Sequence, residues 1–240
     1  MGIWQNRGEL LKLGFTASRT AIHNVLERHN IEPAPVFNGS IGWRHLVAHY
    51  NDQILACAFF AVETIWLKTI YVLFFIELGT RRVRMAGCTT KPNTIWVTQQ
   101  ARQLVWELQD ESQDMAFLIH DNDKKFSSSF DAVFDSTGIE IVSTPYQAPQ
   151  ANAYAERWVR SIREECLDHI LIVNKRHLFR VLREYIEYYN QARPHQGIGQ
   201  RFPVSAPQRS TKGTIRRRNV LGGIIHDYYR QSSTPASGCG

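Results

Sequence analysis

The stretch that decides the fold begins His120-Asp121-Asn122-Asp123-Lys124-Lys125-Phe126 and ends Pro149-Gln150-Ala151-Asn152-Ala153-Tyr154-Ala155-Glu156-Arg157-Trp158. The apolar run over residues 115–119 predicts a short buried strand, and the polar cluster after it favours a turn. Asp121 is therefore expected at the C-terminal edge of a strand. Glu156 is expected in the first turns of a long helix. Two carboxylates from separate elements, each followed by basic residues, indicate a metal site that faces a polyanion.

The positive charge is concentrated in the C-terminal part of the chain. The formal net charge is +6; residues 1–150 carry 13 Lys and Arg against 15 Asp and Glu, whereas residues 151–240 carry 15 against 7. Arginines clustered in one region suit phosphate binding, and a well-solvated basic surface is the alternative. A hydrophobic fraction of 43% over 240 residues excludes disorder throughout and allows one substantial core.

Cysteine usage and hydropathy indicate a cytoplasmic protein. The four cysteines, Cys57, Cys88, Cys166 and Cys239, show no CxxC spacing, so we interpret them as buried thiols in a reducing compartment, with no zinc site. The N-terminus lacks a basic-then-apolar signal, and the longest apolar stretch, residues 70–78, is too short to span a bilayer. We therefore expect a soluble protein without a membrane partner.

The first 32 residues predict two helices joined by a tight turn. Leucines over residues 5–13 have helical spacing, Gly14 ends that helix, and Ser18 can cap the next one. This arrangement fits a partial helix-turn-helix DNA-binding segment whose second helix presents Arg19 and His23; a plain helical hairpin is the alternative. The Pro- and Gly-containing residues that follow predict a linker over residues 33–50.

Residues 51–205 have the pattern of an α/β core. β-Branched and aromatic runs predict strands, and segments with helical periodicity predict helices between them. The order implies a mixed sheet flanked by helices. The strands are predicted at 54–63, 68–78, 83–87, 115–119 and 139–142, and the helices at 94–108, 127–136, 151–171 and 176–191. Residues 206–240, which include Arg216-Arg217-Arg218, are predicted to form a basic flexible tail that is either a phosphate-binding arm or a solvated terminus.

The helix predicted at 151–171 has two distinct faces. Apolar residues, including Trp158, line the face expected in the core, whereas Glu156 shares another face with Arg160 and Arg163. The candidate DNA contacts on and near these carboxylates are Lys124, Arg157, Arg160 and Arg163. The alternative role for the three arginines is in salt bridges to Glu164 or Glu165. The aromatic residues of the next helix are expected mainly in the core.

Three segments resemble the integrase-core DDE transposases of bacterial insertion sequences, which are relatives of retroviral integrases. The resemblance extends from about residue 8 to residue 203. It is carried by His120-Asp121-Asn122-Asp123-Lys124-Lys125-Phe126, by Thr144-Pro145-Tyr146-Gln147-Ala148-Pro149-Gln150-Ala151-Asn152-Ala153-Tyr154-Ala155-Glu156-Arg157 and by Tyr189-Asn190-Gln191-Ala192-Arg193-Pro194-His195.

The resemblance implies an α/β fold of the ribonuclease H-like type, with a small N-terminal helical segment. It implies that Asp121 is the second catalytic Asp and that Glu156 is the catalytic Glu, and that both bind Mg²⁺ or Mn²⁺. Asp123 stands where many relatives have Gly and is not expected to be a ligand. The implied partners are double-stranded DNA, both element ends and target, and further copies of the chain on that DNA. An upstream DNA-binding part is expected to be missing.

The chain departs from the family at the first acid. Relatives read Ala-Cys-Asp-Phe-Phe in the first strand, whereas this chain reads Ala56-Cys57-Ala58-Phe59-Phe60. Ala58 cannot bind a metal ion. Asp52 has the same strand parity but lies six residues away, about 20 Å, and Glu63 has the opposite parity, so neither is expected to replace the missing Asp. Metal binding should be weakened accordingly.

The sequence therefore predicts a transposase or integrase core that acts in DNA transposition by metal-dependent strand cleavage and transfer, and that is inactive as written because of Ala58. The incomplete triad leaves its status as an enzyme open. The first alternative is a non-catalytic DNA-binding remnant or regulator of transposition. A ribonuclease H-like nuclease with another substrate is the second, and the transposase-like segment at residues 189–195 disfavours it.

Overall fold

The computed structural model describes residues 25, 28, 29, 46, 47, 49–121, 123–143, 153–204 and 213–231. The chain divides into two compact units, residues 1–49 and residues 50–240. In the first unit Val25 and Arg28 are helical, and the N–H of His29 donates a hydrogen bond to the carbonyl of Val25 at 3.2 Å. The predicted DNA contacts Arg19 and His23 lie outside the described residues.

The second unit contains the α/β core, and its element order agrees with the predicted order. Three strands come first, and helices then alternate with the last two strands of the main sheet. The strands are β1 (Ile54–Glu63), β2 (Thr69–Glu77), β3 (Val83–Thr89), β4 (Phe117–His120) and β5 (Glu140–Ser143), and the helices are α1 (Thr94–Asp110), α2 (Ser128–Asp135), α3 (Ala153–Glu165) and α4 (Lys175–Gln191). A separate two-stranded sheet consists of β6 (Thr214–Val220) and β7 (Ile225–Gln231).

The main sheet is mixed and has the strand order β3-β2-β1-β4-β5. β1, β2 and β3 form an antiparallel meander, whereas β4 pairs in parallel with β1, and β5 pairs in parallel with β4. Parallel pairing needs a crossover connection, which α1 supplies before β4 and α2 supplies before β5. The sheet and its flanking helices form the ribonuclease H-like arrangement.

One face of the sheet packs against α1 and α2. Successive strand residues point to opposite faces, and on this face Cys57 of β1 and Phe75 of β2 join buried residues of α1 and α2 in one apolar cluster. The cluster includes Val97 and Leu104 of α1 and Phe130 of α2. The helical periodicity seen in the sequence thus corresponds to the buried stripes of these two helices.

The opposite face of the sheet carries α3. The indole of Trp158, 1% exposed, lies 5.6 Å from the ring of Phe60 and 4.1 Å from the ring of Phe74, measured between ring centres. Burying an indole against two phenyl rings supplies a large apolar contact area. Trp158, near the middle of α3, therefore fixes this helix on the side of the sheet to which the even-numbered residues of β1 point.

The structure corrects two predicted boundaries. The helix predicted over residues 151–171 is shorter at its C-terminal end: α3 ends at Glu165, Cys166 leaves helical geometry at φ −138° and ψ −66°, and residues 167–169 form a 3-10 turn. Residues 206–240 were predicted to be a flexible tail, but 214–231 form an antiparallel hairpin. Its turn is allowed by Gly222 and Gly223, whose φ angles of 67° and 103° are unfavourable for other residues.

Candidate active site

Asp121 stands at the C-terminal edge of the main sheet, as the sequence predicts. It follows β4, whose four residues are all buried, and its own side chain is exposed. The Oδ1 atom of Asp121 accepts a hydrogen bond from the N–H of Asp123 at 3.2 Å, a turn typical of aspartate. The carboxylate is thus held at the end of a rigid strand, and its second oxygen is available to a ligand.

Ala58 lies level with Asp121 on the neighbouring strand. β1 and β4 are parallel with Cys57 paired to His120, so one further step along each strand brings Ala58 beside Asp121. Residues in register on parallel strands share a face. Burial, and secondarily the negative charge of Asp121, raise the pKa of the Cys57 thiol, in agreement with this proximity. The methyl group of Ala58, 6% exposed, therefore occupies the position next to the carboxylate.

Glu156 belongs to the same side of the sheet. Ala58 has the strand parity of Phe60, and the Phe60 ring contacts Trp158 of α3. Glu156 lies two residues before Trp158, in the first turn of α3, and it is exposed. A carboxylate in the first turn of a helix interacts favourably with the helix dipole. The fold thus places Ala58, Asp121 and Glu156 on one side of the sheet.

Asp52 and Glu63, the other acids on or next to β1, both lie away from Ala58. Asp52 precedes β1 and lies against Gly79, where a Cβ atom would come within 2.0 Å of its Oδ1. Glu63 is the last residue of β1 and is exposed beside Thr69. Neither residue is level with Asp121.

The described residues fit a divalent metal ion only in part. Asp121 and Glu156 offer the hard oxygen ligands that Mg²⁺ prefers, whereas Ala58, level with Asp121, offers only a methyl group. Within residues 49–121, 123–143, 153–204 and 213–231, no group of three or more His, Cys, Asp or Glu side chains is arranged to hold a metal ion. The residues present therefore do not complete a two-metal site.

The predicted DNA contacts of the core are all exposed. Lys124 follows Asp121 closely, and Arg157, Arg160 and Arg163 lie on α3. Arg163 donates a hydrogen bond from Nη2 to the carbonyl of Ala61 on β1 at 2.9 Å. Within the described part of the chain, none of the three arginines makes the predicted alternative salt bridge to Glu164 or Glu165.

Glu165 has a different partner, Arg193. The Nη2 atom of Arg193 lies 2.6 Å from Oε1 of Glu165, and the Tyr185 hydroxyl donates to Oε2 at 2.9 Å. Burial and the charge of Glu165 raise the pKa of Tyr185. His195, whose pKa is lowered by burial, contacts the carbonyl of Tyr189 with Nε2 at 3.0 Å. Through these contacts, residues 189–195 at the C-terminal end of α4 are bonded to the C-terminal end of α3.

Sequence reasoning missed a contact beside Glu156. The guanidinium of Arg81, in the turn between β2 and β3, lies 3.8 Å from the centre of the Tyr154 ring in the first turn of α3. A guanidinium stacked on an aromatic face is stabilising. Arg81 therefore helps to position the turn that carries Glu156, and the sequence shows it only as an arginine between two predicted strands.

The fold and the arrangement of this sheet edge define an α/β protein of the ribonuclease H-like class. Residues 137–203 match the family described as Integrase core domain. A segment of 85 residues is 33% identical to the insertion element IS476 uncharacterized 39.2 kDa protein of Xanthomonas euvesicatoria. That segment is 35% of this chain and 25% of the relative, so the chain spans about a quarter of the length of the curated relative it matches. Residues 137–203 are thus similar to integrase core domains, and the 85-residue segment is similar to this insertion element protein.

Solved structures are similar in fold. The intasome of simian T-cell lymphotropic virus in complex with PP2A regulatory subunit B56 gamma gives a TM-score of 0.50 at 11% identity, over 94% of this chain and 83% of that chain. The HTLV-2 integrase catalytic core in complex with magnesium gives 0.49 at 14% identity, over 62% and 92%. The catalytic domain of Mos1 mariner transposase gives 0.49 at 12% identity, over 60% and 76%.

Of the helices in the described part of the chain, none is long and apolar enough to cross a membrane.

Proposed function

We propose that this chain is the core of a DNA transposition protein that binds double-stranded DNA but, with Ala58 in place of an acid, does not cleave or join it. The observation that carries the proposal is the register between β1 and β4, which sets Ala58 level with Asp121. A side chain at this position points to the side of the sheet that carries α3 and Glu156.

The chemistry explains why one residue is decisive. Cleavage and joining of a phosphodiester need a hydroxyl to be activated and a leaving oxygen to be stabilised, and divalent ions supply both effects. Asp121 and Glu156 are the residues that would hold such an ion. Ala58 contributes a methyl group where a third carboxylate would complete the site. Mg²⁺ should therefore bind weakly, and no catalytic step follows from the residues present.

DNA is the partner that the remaining residues suit. Lys124, Arg157 and Arg160 are exposed cations close to the sheet edge or on α3, and Lys and Arg are the usual contacts of DNA phosphates. Binding through such contacts weakens steeply as the salt concentration rises. We expect assembly of more than one copy on DNA, and light scattering of the chain with and without duplex DNA would test this expectation.

The test restores the acid by Ala58→Asp in the full chain. With supercoiled plasmid as substrate, the unaltered chain is expected to leave the plasmid intact in Mg²⁺, and the Ala58→Asp variant is expected to nick it. In a titration with Mg²⁺ alone, the Ala58→Asp variant should bind the ion more tightly than the unaltered chain does. The gain should exceed the roughly 10- to 100-fold effect of residues that only support a metal ligand, because the new carboxylate would bind the ion directly. Mg²⁺ should also raise the Tm of the variant.

Two control variants separate metal binding by a carboxylate at position 58 from the effects of side-chain size and of an added negative charge. Ala58→Asn has nearly the size of Asp without the negative charge, and Ala61→Asp adds a carboxylate to the same strand at a position of opposite parity. Neither is expected to bind Mg²⁺ more tightly or to nick the plasmid. Magnesium-dependent nicking by the unaltered chain would overturn the proposal of inactivity.

A non-catalytic DNA-binding protein is the second candidate, and the exposed cations near an incomplete acidic site favour it. It differs from the first in its response to Ala58→Asp. The Ala58→Asp variant could fold, gain Mg²⁺ affinity and bind duplex DNA without nicking it. In that case the chain lacks more of the catalytic machinery than the acid at position 58, and it acts only by binding.

A further inference from the structure

The hairpin of β6 and β7 is fixed to the core at its turn end, by residues of one face that we call the inner face. On this face Val220 is 4% exposed, and Asp227, 6% exposed, pairs with Arg218 at 3.2 Å. The N–H of Leu221 in the turn donates to Oε1 of Glu184 on α4 at 2.5 Å. The turn end of the hairpin is therefore anchored on α4 by this hydrogen bond and by the burial of Val220.

The outer face of the hairpin has a different composition. Residues paired across an antiparallel ladder point to the same side, and the three pairs on the side away from Val220 and Asp227 are all exposed. They contain two cations, one tyrosine and no acid; the Tyr228 side chain is 60% exposed. We define this outer face by its three pairs: Ile215 with Arg230, Arg217 with Tyr228, and Asn219 with His226.

The two faces divide the charges of the hairpin unequally. The one acid within residues 213–231, Asp227, lies on the inner face with Arg218. Arg217 on the outer face has no ion-pair partner in the described part of the chain. Arg230 donates from Nη1 to the carbonyl of Gly213 at 3.0 Å, which leaves its other donors available. The outer face is thus positively charged without internal neutralisation.

We propose that the outer face of the β6–β7 hairpin binds the backbone of double-stranded DNA. Arg, Tyr and Asn side chains are common donors to phosphate oxygens, and a two-stranded ribbon has dimensions that a DNA groove admits. The absence of an acid on this face removes repulsion from the phosphates. The proposal rests on the proposed function in one respect, that DNA is the partner, and it assigns a contact surface separate from the acidic sheet edge.

The hairpin offers matched pairs of variants for the test. Arg217→Ala and Arg216→Ala remove the same charge from adjacent exposed positions on opposite faces. Tyr228→Ala and Tyr229→Ala form a second such pair. All four positions are exposed, so the folded state should persist, and circular dichroism and Tm would verify this. The measurement is the fluorescence anisotropy of a labelled random-sequence duplex, titrated with the full chain at several salt concentrations.

Loss of a phosphate contact has a defined signature. Arg217→Ala is expected to lower the slope of log Kd against log salt concentration by about 0.9, the value for one phosphate contact on duplex DNA. Tyr228→Ala is expected to weaken binding about two- to tenfold, as for one hydrogen bond. Arg216→Ala and Tyr229→Ala are expected to leave the slope and the affinity nearly unchanged.

The results that would contradict these expectations distinguish the hairpin assignment, the choice of duplex DNA and the proposed function. Equal slopes for Arg217→Ala and Arg216→Ala, with duplex binding by the unaltered chain intact, would overturn the hairpin assignment and leave the proposed function standing. A Tyr228→Ala defect confined to a single-stranded probe would overturn the duplex assignment. Absence of salt-dependent DNA binding by the unaltered chain would instead remove the proposed function itself.

Discussion

Asn190 of α4 forms two hydrogen bonds with the main chain of Val83, the first residue of β3. Its Oδ1 accepts the Val83 N–H at 2.9 Å, and its Nδ2 donates to the Val83 carbonyl at 2.8 Å. β3 is an outer strand of the sheet, and the free edge of an outer strand carries unpaired main-chain groups. Asn190 satisfies two of these groups, and its side chain thereby ties α4 to the sheet.

Replacing Asn190 with Ala should therefore destabilise the fold. It would leave the buried N–H and carbonyl of Val83 without partners, at a cost of about 1–3 kcal/mol for each group. We expect the free energy of unfolding in urea to fall by about 2–4 kcal/mol. Gln191→Ala, at the exposed neighbouring position of the same helix, is the control and should change it by less than about 0.5 kcal/mol. Equal midpoints for the two variants would contradict this role.

The ion pairs of Glu111 should stabilise the fold at neutral pH and lose this effect in acid. The hydrogen bond from Arg84, followed by that from Arg82, lowers the pKa of Glu111 from 4.5 to about 2. Because the pKa is lower in the folded state, the contribution is complete above pH 4.5 and is lost as the pH falls through about 2. Glu111→Gln should reduce the free energy of unfolding by about 1 kcal/mol at pH 7, since solvent screens this partly exposed group.

Measuring the free energy of unfolding from pH 7 down to pH 2 tests whether the Glu111 contribution is lost in acid. The difference between the unaltered chain and Glu111→Gln should shrink towards zero over that range, because the carboxyl becomes protonated in both the folded and the unfolded state. Asp110→Asn, at the adjacent exposed position of α1, serves as the control. A difference that stays constant from pH 7 to pH 2 would exclude the ion pair as its origin.

The sequence predicts the meander and the flanking helices well because their signals are local. β1 was predicted at its observed bounds, Ile54–Glu63, and α4 differs from its prediction by one residue. Long β-branched and aromatic runs and strong helical periodicity carry this information within one segment. The buried Tyr185 and Tyr189 likewise confirm that the aromatic residues of α4 are mainly core, although Phe179 is 43% exposed.

Other features depend on contacts between distant segments. His120 was assigned to a turn because of its polar neighbours, but it ends β4 and is buried, with its ring 4.6 Å from that of Phe126. The hairpin at 214–231 was hidden by its run of three arginines, and because Val220 alone is buried in β6, no apolar alternation marks that strand. Tertiary packing overrides local propensity in both cases.

The sequence identified individual residues of the candidate site but not all of the contacts that position them. Asp121 and Glu156 were named from the sequence, and the register of β1 against β4 now places Ala58 beside Asp121. Their roles in metal binding stay a prediction. The stacking of Arg81 on Tyr154 could not be predicted, because no local pattern links a turn between two strands to a helix more than 70 residues later.

The three described cysteines should be unreactive in the folded protein. Cys57, Cys88 and Cys166 are buried, and burial raises the pKa of each thiol, that of Cys166 to about 12. The thiolate is the reactive form. In a Cys239→Ser variant, a thiol-specific reagent at pH 8 is expected to label none of the three in native buffer and all three in guanidinium chloride. Rapid labelling in native buffer would contradict this burial.

The contact between Arg81 and Tyr154 should control the stability of the first turn of α3. Arg81→Ala removes the guanidinium from the ring, whereas Arg81→Lys keeps the charge but loses the planar stacking group. A cation–π contact is worth about 0.5–1 kcal/mol at an exposed site and more when it is partly buried, as here, so local opening should become at least about two- to fivefold more frequent in Arg81→Ala. Arg81→Lys should give an intermediate value.

Hydrogen–deuterium exchange measures this opening directly, because exchange of helical amides reports local unfolding. Amides in the first half of α3 are expected to exchange faster in Arg81→Ala, while those of α4 serve as the internal reference and keep their rates. Since Glu156 lies in the affected turn, the same change placed in the Ala58→Asp background should lower plasmid nicking without altering duplex affinity. Unchanged exchange in α3 would show that the other contacts of the helix suffice to hold it, and that Arg81 has no part in positioning Glu156.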